Sequence, residues 1–204
     1  MGTRLSISSG FDISESGKVA RLYWQAFGTK LGRVMGPDAR AIGFFETVLN
    51  PEFALVARAP DGKFLGLAGF KTDRGGLVEG SYAQMAQAYG WFGAVWRALI
   101  LSVLEREVQP DVFQMDGIFV DAGARGMGVG AALLGAVAEE AARRGLGQVQ
   151  LDVIDTNPRA RALYERVGFR AAKTEHTGPF GRVFGFESAT RMVLEVAGVQ
   201  NGAS

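Results

Sequence analysis

The residues Arg125-Gly126-Met127-Gly128-Val129-Gly130-Ala131 have the spacing of an anion cradle. A strand-like stretch ends at Val120, a turn of small residues follows, and an amphipathic helix starts inside the glycine run. The first amides of a helix lack internal partners and carry about half a positive charge, so they bind phosphate well. Gly126, Gly128 and Gly130 would keep side chains clear of a closely approaching pyrophosphate, and Arg125 would add a cation. Two other readings fit the local pattern. One is a purely structural turn, although each glycine weakens a helix start by up to ~1 kcal/mol relative to Ala. The other is a dinucleotide-binding turn: Gly126 to Ala131 also spells G-x-G-x-x-A, and Asp152 lies where a ribose-binding acid would sit. That fold needs repeated strand–helix–strand units, and only about one follows these glycines.

Composition narrows the remaining chemistry. The 204 residues contain no cysteine and a single histidine, His176. A disulfide framework, a Cys nucleophile, thiolate metal sites and a His-rich zinc helix are therefore excluded. No metal site is expected. The net charge of +1 implies no polyanionic partner such as nucleic acid. The N-terminal residues lack an apolar core of signal-peptide length, so the expected address is the cytoplasm. What remains is the work of backbone amides, carboxylates, tyrosine and one histidine.

The elements that must position these groups follow from periodicity. Ser14 to Gly28 predicts a helix with Val19, Leu22, Tyr23, Ala26 and Phe27 on one face. Ala39 to Leu49 predicts a second, ended by Asn50-Pro51. Phe53–Ala59 and Phe64–Lys71 predict a hairpin around Pro60-Asp61-Gly62-Lys63. Tyr82 to Glu107 reads as mostly helical, with a break at Gly90 or Gly93. Its stretch from Trp91 to Leu104 is apolar but falls short of the ~20 residues of a membrane span. It predicts a buried or dimer-forming helix. Met115–Val120 and Gln148–Ile154 predict strands around a helix from Gly128 to Arg144. Asn157 as N-cap and Pro158 at the first position start a helix that ends at Gly168. Phe169–Thr174 and Thr190–Val196 close the order, and the tail from Ala197 is expected to fray. No linker or repeat divides residues 1–204.

These motifs in this order resemble the GCN5-related N-acetyltransferase superfamily. Its pyrophosphate motif, [Gln/Arg]-x-x-Gly-x-[Gly/Ala], follows a strand and opens a helix, as Arg125 to Gly130 does. Its next motif is a strand, an Asn, and a short helix carrying a Tyr and ending in Gly-Phe. Leu151-Asp152-Val153-Ile154, Asn157, Ala160, Leu163-Tyr164-Glu165 and Gly168-Phe169 match it. The close match covers about Gly117 to Phe169. The chain departs from the simplest family pattern in the mostly helical segment Leu77–Pro110, where acceptor specificity is expected. Its Tyr82, Tyr89, Trp91, Phe92 and Trp96 fit an apolar acceptor pocket, a core or a dimer surface.

The resemblance implies a single mixed α/β domain whose central, mostly antiparallel sheet is flanked by helices and splayed at the cofactor-binding strands. It implies an acyl-CoA-dependent N-acyltransferase, most simply one that moves acetyl from acetyl-CoA to an amine by direct attack in a ternary complex. The acceptor would be a small-molecule amine or a peptide or protein amine, and a homodimer is conceivable. Pantetheine would touch the main chain of Ile118, Phe119 and Val120, and amides from Arg125 through Met127, Val129 and Ala131 would hold the pyrophosphate. Asn157 and Tyr164 would face the cofactor, and Tyr164 would protonate, or hydrogen-bond to, the departing thiolate. The amine must lose a proton first, at a cost of about 4–5 kcal/mol for a lysine-like amine at pH 7. Asp116, four residues before Val120 and on the same face as Gln114, is the first candidate base; Glu79 and His176 are weaker ones. A silent acyl-CoA-binding regulatory module and a nicotinamide-binding oxidoreductase remain as alternatives.

Overall fold

The computed structural model describes residues 5–102, 112–178, 181 and 185–196. The tail from Ala197, and the end of the predicted helix beyond Ser102, lie outside them. The strands are β1 (Ser6–Ser9), β2 (Ala54–Arg58), β3 (Phe64–Thr72), β4 (Gly75–Gly76), β5 (Val112–Val120), β6 (Gln148–Ile154), β7 (Arg170–His176) and β8 (Ser188–Glu195). The helices are α1 (Ser16–Met35), α2 (Asp38–Val48), α3 (Tyr82–Tyr89), α4 (Trp91–Ser102), α5 (Val129–Arg143) and α6 (Pro158–Val167). One sheet of eight strands runs β1-β2-β3-β5-β6-β8-β7, with β4 paired to β3. Only β5 and β6 pair in parallel; every other described pair is antiparallel. This excludes the doubly wound parallel sheet that a dinucleotide-binding domain requires. Asp152, the would-be ribose acid, instead reaches Arg191 of the neighbouring strand at 3.3 Å.

One expectation about the N-terminal half is corrected, and one strand is added. α1 does not stop at Gly28 but runs on to Met35. Leu31, Val34 and Met35 continue its apolar face into the core, and their burial outweighs the ~1 kcal/mol that a mid-helix glycine costs. Gly28 has its own reason, since an added Cβ would come within 3.3 Å of the Trp24 ring. β1 was not anticipated, because Ser6–Ser9 carries no apolar alternation and exists through its ladder to β2. The predicted break in the helical segment falls at Gly90, whose φ of +73° separates α3 from α4.

The core lies on both faces of the sheet. α5 buries Val129, Leu133, Leu134, Val137 and Ala141 against one face. The other face meets α1, whose Tyr23 and Phe27 pack their rings on Phe119 of β5. Phe113 of the same strand meets Arg144 at the end of α5 instead. Residues six apart on a regular strand share a face. Phe113 and Phe119 do not, because the register of β5 on β3 shifts by one residue between Met115↔Phe70 and Gly117↔Gly69. Asp116 is the extra residue of that bulge.

Candidate active site

The β5–β6 ladder is short. Val112, Phe113 and Gln114 pair with Gln148, Val149 and Gln150, and there it stops. Beyond that point β5 stays paired to β3 as far as Val120, and β6 stays paired to β8 as far as Ile154. The two parallel strands therefore part at Met115 and Leu151, leaving two strand edges facing a wedge. Backbone N–H and C=O groups demand partners, so such a wedge fits an extended ligand carrying amides of its own. Ile118, Phe119 and Val120 lie on the edge of β5. The side chain of Phe119 is committed to the aromatic cluster with Tyr23 and Phe27, which leaves its main chain as the group available there.

The glycine turn follows directly. Asp121 caps a short 3-10 turn by accepting from the Gly123 amide at 3.0 Å, and its own amide donates to Leu65 at 2.9 Å. Gly126 and Gly128 then take φ values of +82° and +79°, which only glycine adopts without strain. α5 starts at Val129 with no side-chain cap. Among the described residues, nothing accepts from the amides of Gly128, Val129, Gly130 or Ala131, and the first bond to close is Ala132 to Gly128 at 3.0 Å. A Cβ added at Gly126 or Gly128 would meet nothing of this chain within 4 Å. Space and unclaimed donors coincide at one helix end, as an anion site requires. Arg125 and Met127 are exposed beside it. Gly130 differs: its added Cβ would lie 2.9 Å from Cδ2 of Leu163 on α6. The third glycine thus lets two helices approach closely.

That contact seats α6, and with it Tyr164. Asn157 caps α6 by accepting from the Ala160 amide at 3.1 Å, and Gly168 ends it with φ +107°. The Tyr164 side chain is buried, its ring 5.9 Å from that of Phe169. Burial pushes its hydroxyl up to about 12. Asn157 itself is exposed, so its described task is the helix cap.

Asp116 sits where β5 bulges. Its Oδ1 is 3.7 Å from Nζ of Lys71, and its Oδ2 is buried without a hydrogen-bond partner. Burial raises its carboxyl above the usual carboxylate range, opposed by the Lys71 charge and by the nearby Leu77 amide. Tyr23 lies close enough that burial and then the Asp116 charge both raise its hydroxyl. A buried carboxylate with an unmet oxygen has a high proton affinity, which is what a base near neutral pH needs. Gln114 donates to the Met115 carbonyl at 3.5 Å. Lys71 and Tyr23 were not singled out in the sequence. Lys71 ends a strand and Tyr23 reads as one more apolar-face residue, so no local pattern marks them.

The weaker candidate bases lie elsewhere. Glu79 accepts from the Gly76 amide at 3.0 Å and from Asn50 at 2.9 Å, so both oxygens hold a loop together. His176 ends β7 and lines an open cleft of about 640 Å³ with Asp155, Thr156, Phe186 and Glu187. Asp155 in turn accepts from the amides of Glu187 and Ser188, each at 3.1 Å. In the helical segment, Tyr89 is core: its hydroxyl donates to the Met35 carbonyl at 2.6 Å. Trp91, Phe92 and Trp96 are exposed on α4.

Solved structures share this architecture. An N-acetyltransferase from Staphylococcus aureus Mu50 superposes with a TM-score of 0.64 over 93% of this chain and 100% of its own, at 14% identity. Another acetyltransferase gives a TM-score of 0.60 at 23% identity, over 94% of this chain and 99% of that one. The ribosomal-protein-S18-alanine N-acetyltransferase from Escherichia coli gives 0.53 at 19% identity, over 98% and 99%. At these identities the likeness speaks for the fold. No curated protein matches the chain. No helix among the described residues is long and apolar enough to cross a membrane. The model of the acetyltransferase (GNAT) family matches residues 18–169, which carry the wedge, the glycine turn and Tyr164, and the chain therefore belongs to that family and is an N-acetyltransferase.

Proposed function

We propose that the chain transfers acetyl from acetyl-CoA to an amine by direct attack, with both substrates bound at the wedge between β5 and β6. The observation that carries this reading is the end of the β5–β6 ladder at Gln114 and Gln150, on the strand that leads through the glycine turn into an uncapped helix. A pantetheine arm supplies amides for the open strand edges, and a pyrophosphate supplies charge for the helix end. Ile118, Phe119 and Val120 would hold the arm; the amides from Gly128 to Ala131, with Arg125, would hold the pyrophosphate. Bound acetyl-CoA brings an acetyl group activated as a thioester.

The protein's own groups handle the protons. Asp116 takes a proton from the incoming ammonium, a role favoured by its raised proton affinity. Lys71 beside it keeps enough carboxylate ionised to act. Tyr164 directs its hydroxyl to the departing sulfur. With its hydroxyl at about 12 and a thiol near ~8.5, full proton transfer from Tyr164 alone would run uphill by about 5 kcal/mol. We therefore assign Tyr164 as a hydrogen-bond donor to the sulfur, with the thiol's proton originating on the amine.

Calorimetry with acetyl-CoA and with a nicotinamide dinucleotide, followed by thiol release across a panel of amines, tests this reading. Acetyl-CoA binding with amine-dependent thiol release is expected. Binding without release to any amine would support a silent regulatory module, and binding of the dinucleotide alone would overturn the reading.

A further inference from the structure

Helix α4 carries a feature to which the proposed acyl transfer assigns no role. Trp91, Phe92, Val95, Trp96 and Leu99 are 67%, 87%, 50%, 40% and 70% exposed. Their spacing of one, three, one and three residues makes a single stripe along a 12-residue helix. The opposite side is anchored. Ala94 is fully buried, and Ile100 and Leu101 pack against the core. The one charged residue of the helix, Arg97, lies between the stripe and the body of the protein: its guanidinium is 4.0 Å from the Tyr89 ring and 4.3 Å from the Trp96 ring, and it donates to the Gly93 carbonyl. Tyr82 stands edge-on to Trp91 at 5.2 Å and donates to its carbonyl, which fixes the start of the stripe.

With aromatic side chains offering roughly 150–250 Å² each, these fractions leave on the order of 600 Å² of contiguous apolar surface. That is at the top of what a monomer's largest patch presents, about 300–600 Å². Covering it twice buries about 1,200 Å², above the ~1,000 Å² that a specific interface needs. The five side chains of the stripe are uncharged, and the one cation beside them, Arg97, is stacked on the Tyr89 and Trp96 rings, so the stripe favours an apolar partner over a charged one. It is also nearly symmetric about Val95 and Trp96: Phe92 and Leu99 lie equally far on either side. A membrane surface is a poorer match, since interfacial helices pair their apolar face with a lysine- or arginine-rich one, and α4 has only Arg97.

We infer that a second copy of this chain covers the stripe, with α4 packed antiparallel on its counterpart across a two-fold axis near Val95. Such an isologous contact places Phe92 of one protomer against Leu99 of the other. The chain has no cysteine, so introduced ones report cleanly. The native protein should sediment at twice its 21.8 kDa chain mass at micromolar concentration. Phe92→Glu, at an exposed position, should sediment as a single chain with unchanged circular dichroism. On mild oxidation Val95→Cys should form a disulfide-linked dimer. A mixture of Phe92→Cys and Leu99→Cys proteins should cross-link to each other faster than Phe92→Cys to itself, because like residues lie about 10 Å apart along antiparallel helices. A monomeric native protein overturns the inference, as does a Phe92→Glu variant as dimeric as native. Preferential self-cross-linking of Phe92→Cys overturns the antiparallel arrangement. Sedimentation of a monomeric native chain with anionic phospholipid vesicles, lost in Phe92→Glu, would assign the stripe to a membrane surface instead.

Discussion

Gly130 of α5 and Leu163 of α6 touch so closely that a methyl group on Gly130 would sit 2.9 Å from Cδ2 of Leu163. Tyr164 is the next residue on α6. The helix that offers its amides at the glycine turn is thus packed directly on the helix that carries the tyrosine. Gly130→Ala gains up to ~1 kcal/mol in helix propensity but must displace the end of Leu163. Melting temperature should change little. Turnover should fall about tenfold, since small misplacements of a reacting group are costly. Adding Leu163→Ala should recover most of it. A single Gly130→Ala variant with native turnover would show that the contact is packing without consequence for Tyr164.

Gly128 separates strain from ligand binding. Its φ of +79° disfavours any other residue, yet an added Cβ would meet nothing of this chain. Gly128→Ala should cost about 1–2 kcal/mol in stability from the left-handed backbone. For a chain of this size that is a few degrees of melting temperature. Acetyl-CoA affinity should drop tenfold or more, measured by calorimetry, because the new methyl occupies the space over the amides. Undiminished affinity would move the pyrophosphate elsewhere.

Asp116 and Lys71 act on one titration. Asp116 must be ionised to accept a proton, and burial raises its pKa, so the acidic limb of kcat/KM belongs above the usual carboxylate range. Removing the Lys71 charge takes away the interaction that lowers it. Lys71→Met should therefore shift that limb to higher pH, and Asp116→Asn should abolish it together with at least tenfold of the rate. Stability carries the same sign. The folded state holds this proton more tightly than the unfolded chain does. Its contribution is full at low pH and is lost as pH rises through the folded pKa. Asp116→Asn, neutral throughout, should melt higher than native at pH 7 to 8 and show a flatter dependence on pH. An unmoved limb in both variants would assign the base to another group.

Tyr164→Phe keeps the ring and its contact with Phe169 while deleting the hydroxyl. Turnover should fall at least tenfold with acetyl-CoA affinity nearly unchanged. Because burial holds the hydroxyl at about 12, Tyr164 stays protonated across the working range. Any alkaline limb of the profile below that value should therefore survive the substitution. Steady-state pH profiles of both proteins check this, and unaltered turnover would remove Tyr164 from the reaction.

Local patterns determined much of this protein. The alternation of β6, the apolar face of α5, the Asn157 cap and the glycines at Gly90, Gly128 and Gly168 each depend on residues a few positions apart, so their spacing was legible in one dimension. The family motifs are local for the same reason. What only the tertiary structure decided depends on residues distant in sequence. The run of α1 past Gly28 follows from burial of Leu31, Val34 and Met35 against other elements. The parting of β5 from β6 is a property of two strands and their other neighbours. The bulge that turns Asp116 beside Lys71 and Tyr23 exists only in the register of β5 on β3. Gly130 looked like a ligand-binding glycine because it continues the spacing of Gly126 and Gly128; its opposing Leu163 lies on another helix. The apolar run of α4 could have been core or surface. Its exposure follows from which face Tyr89, Ala94 and Arg97 commit to the rest of the chain, a choice that hydropathy cannot encode.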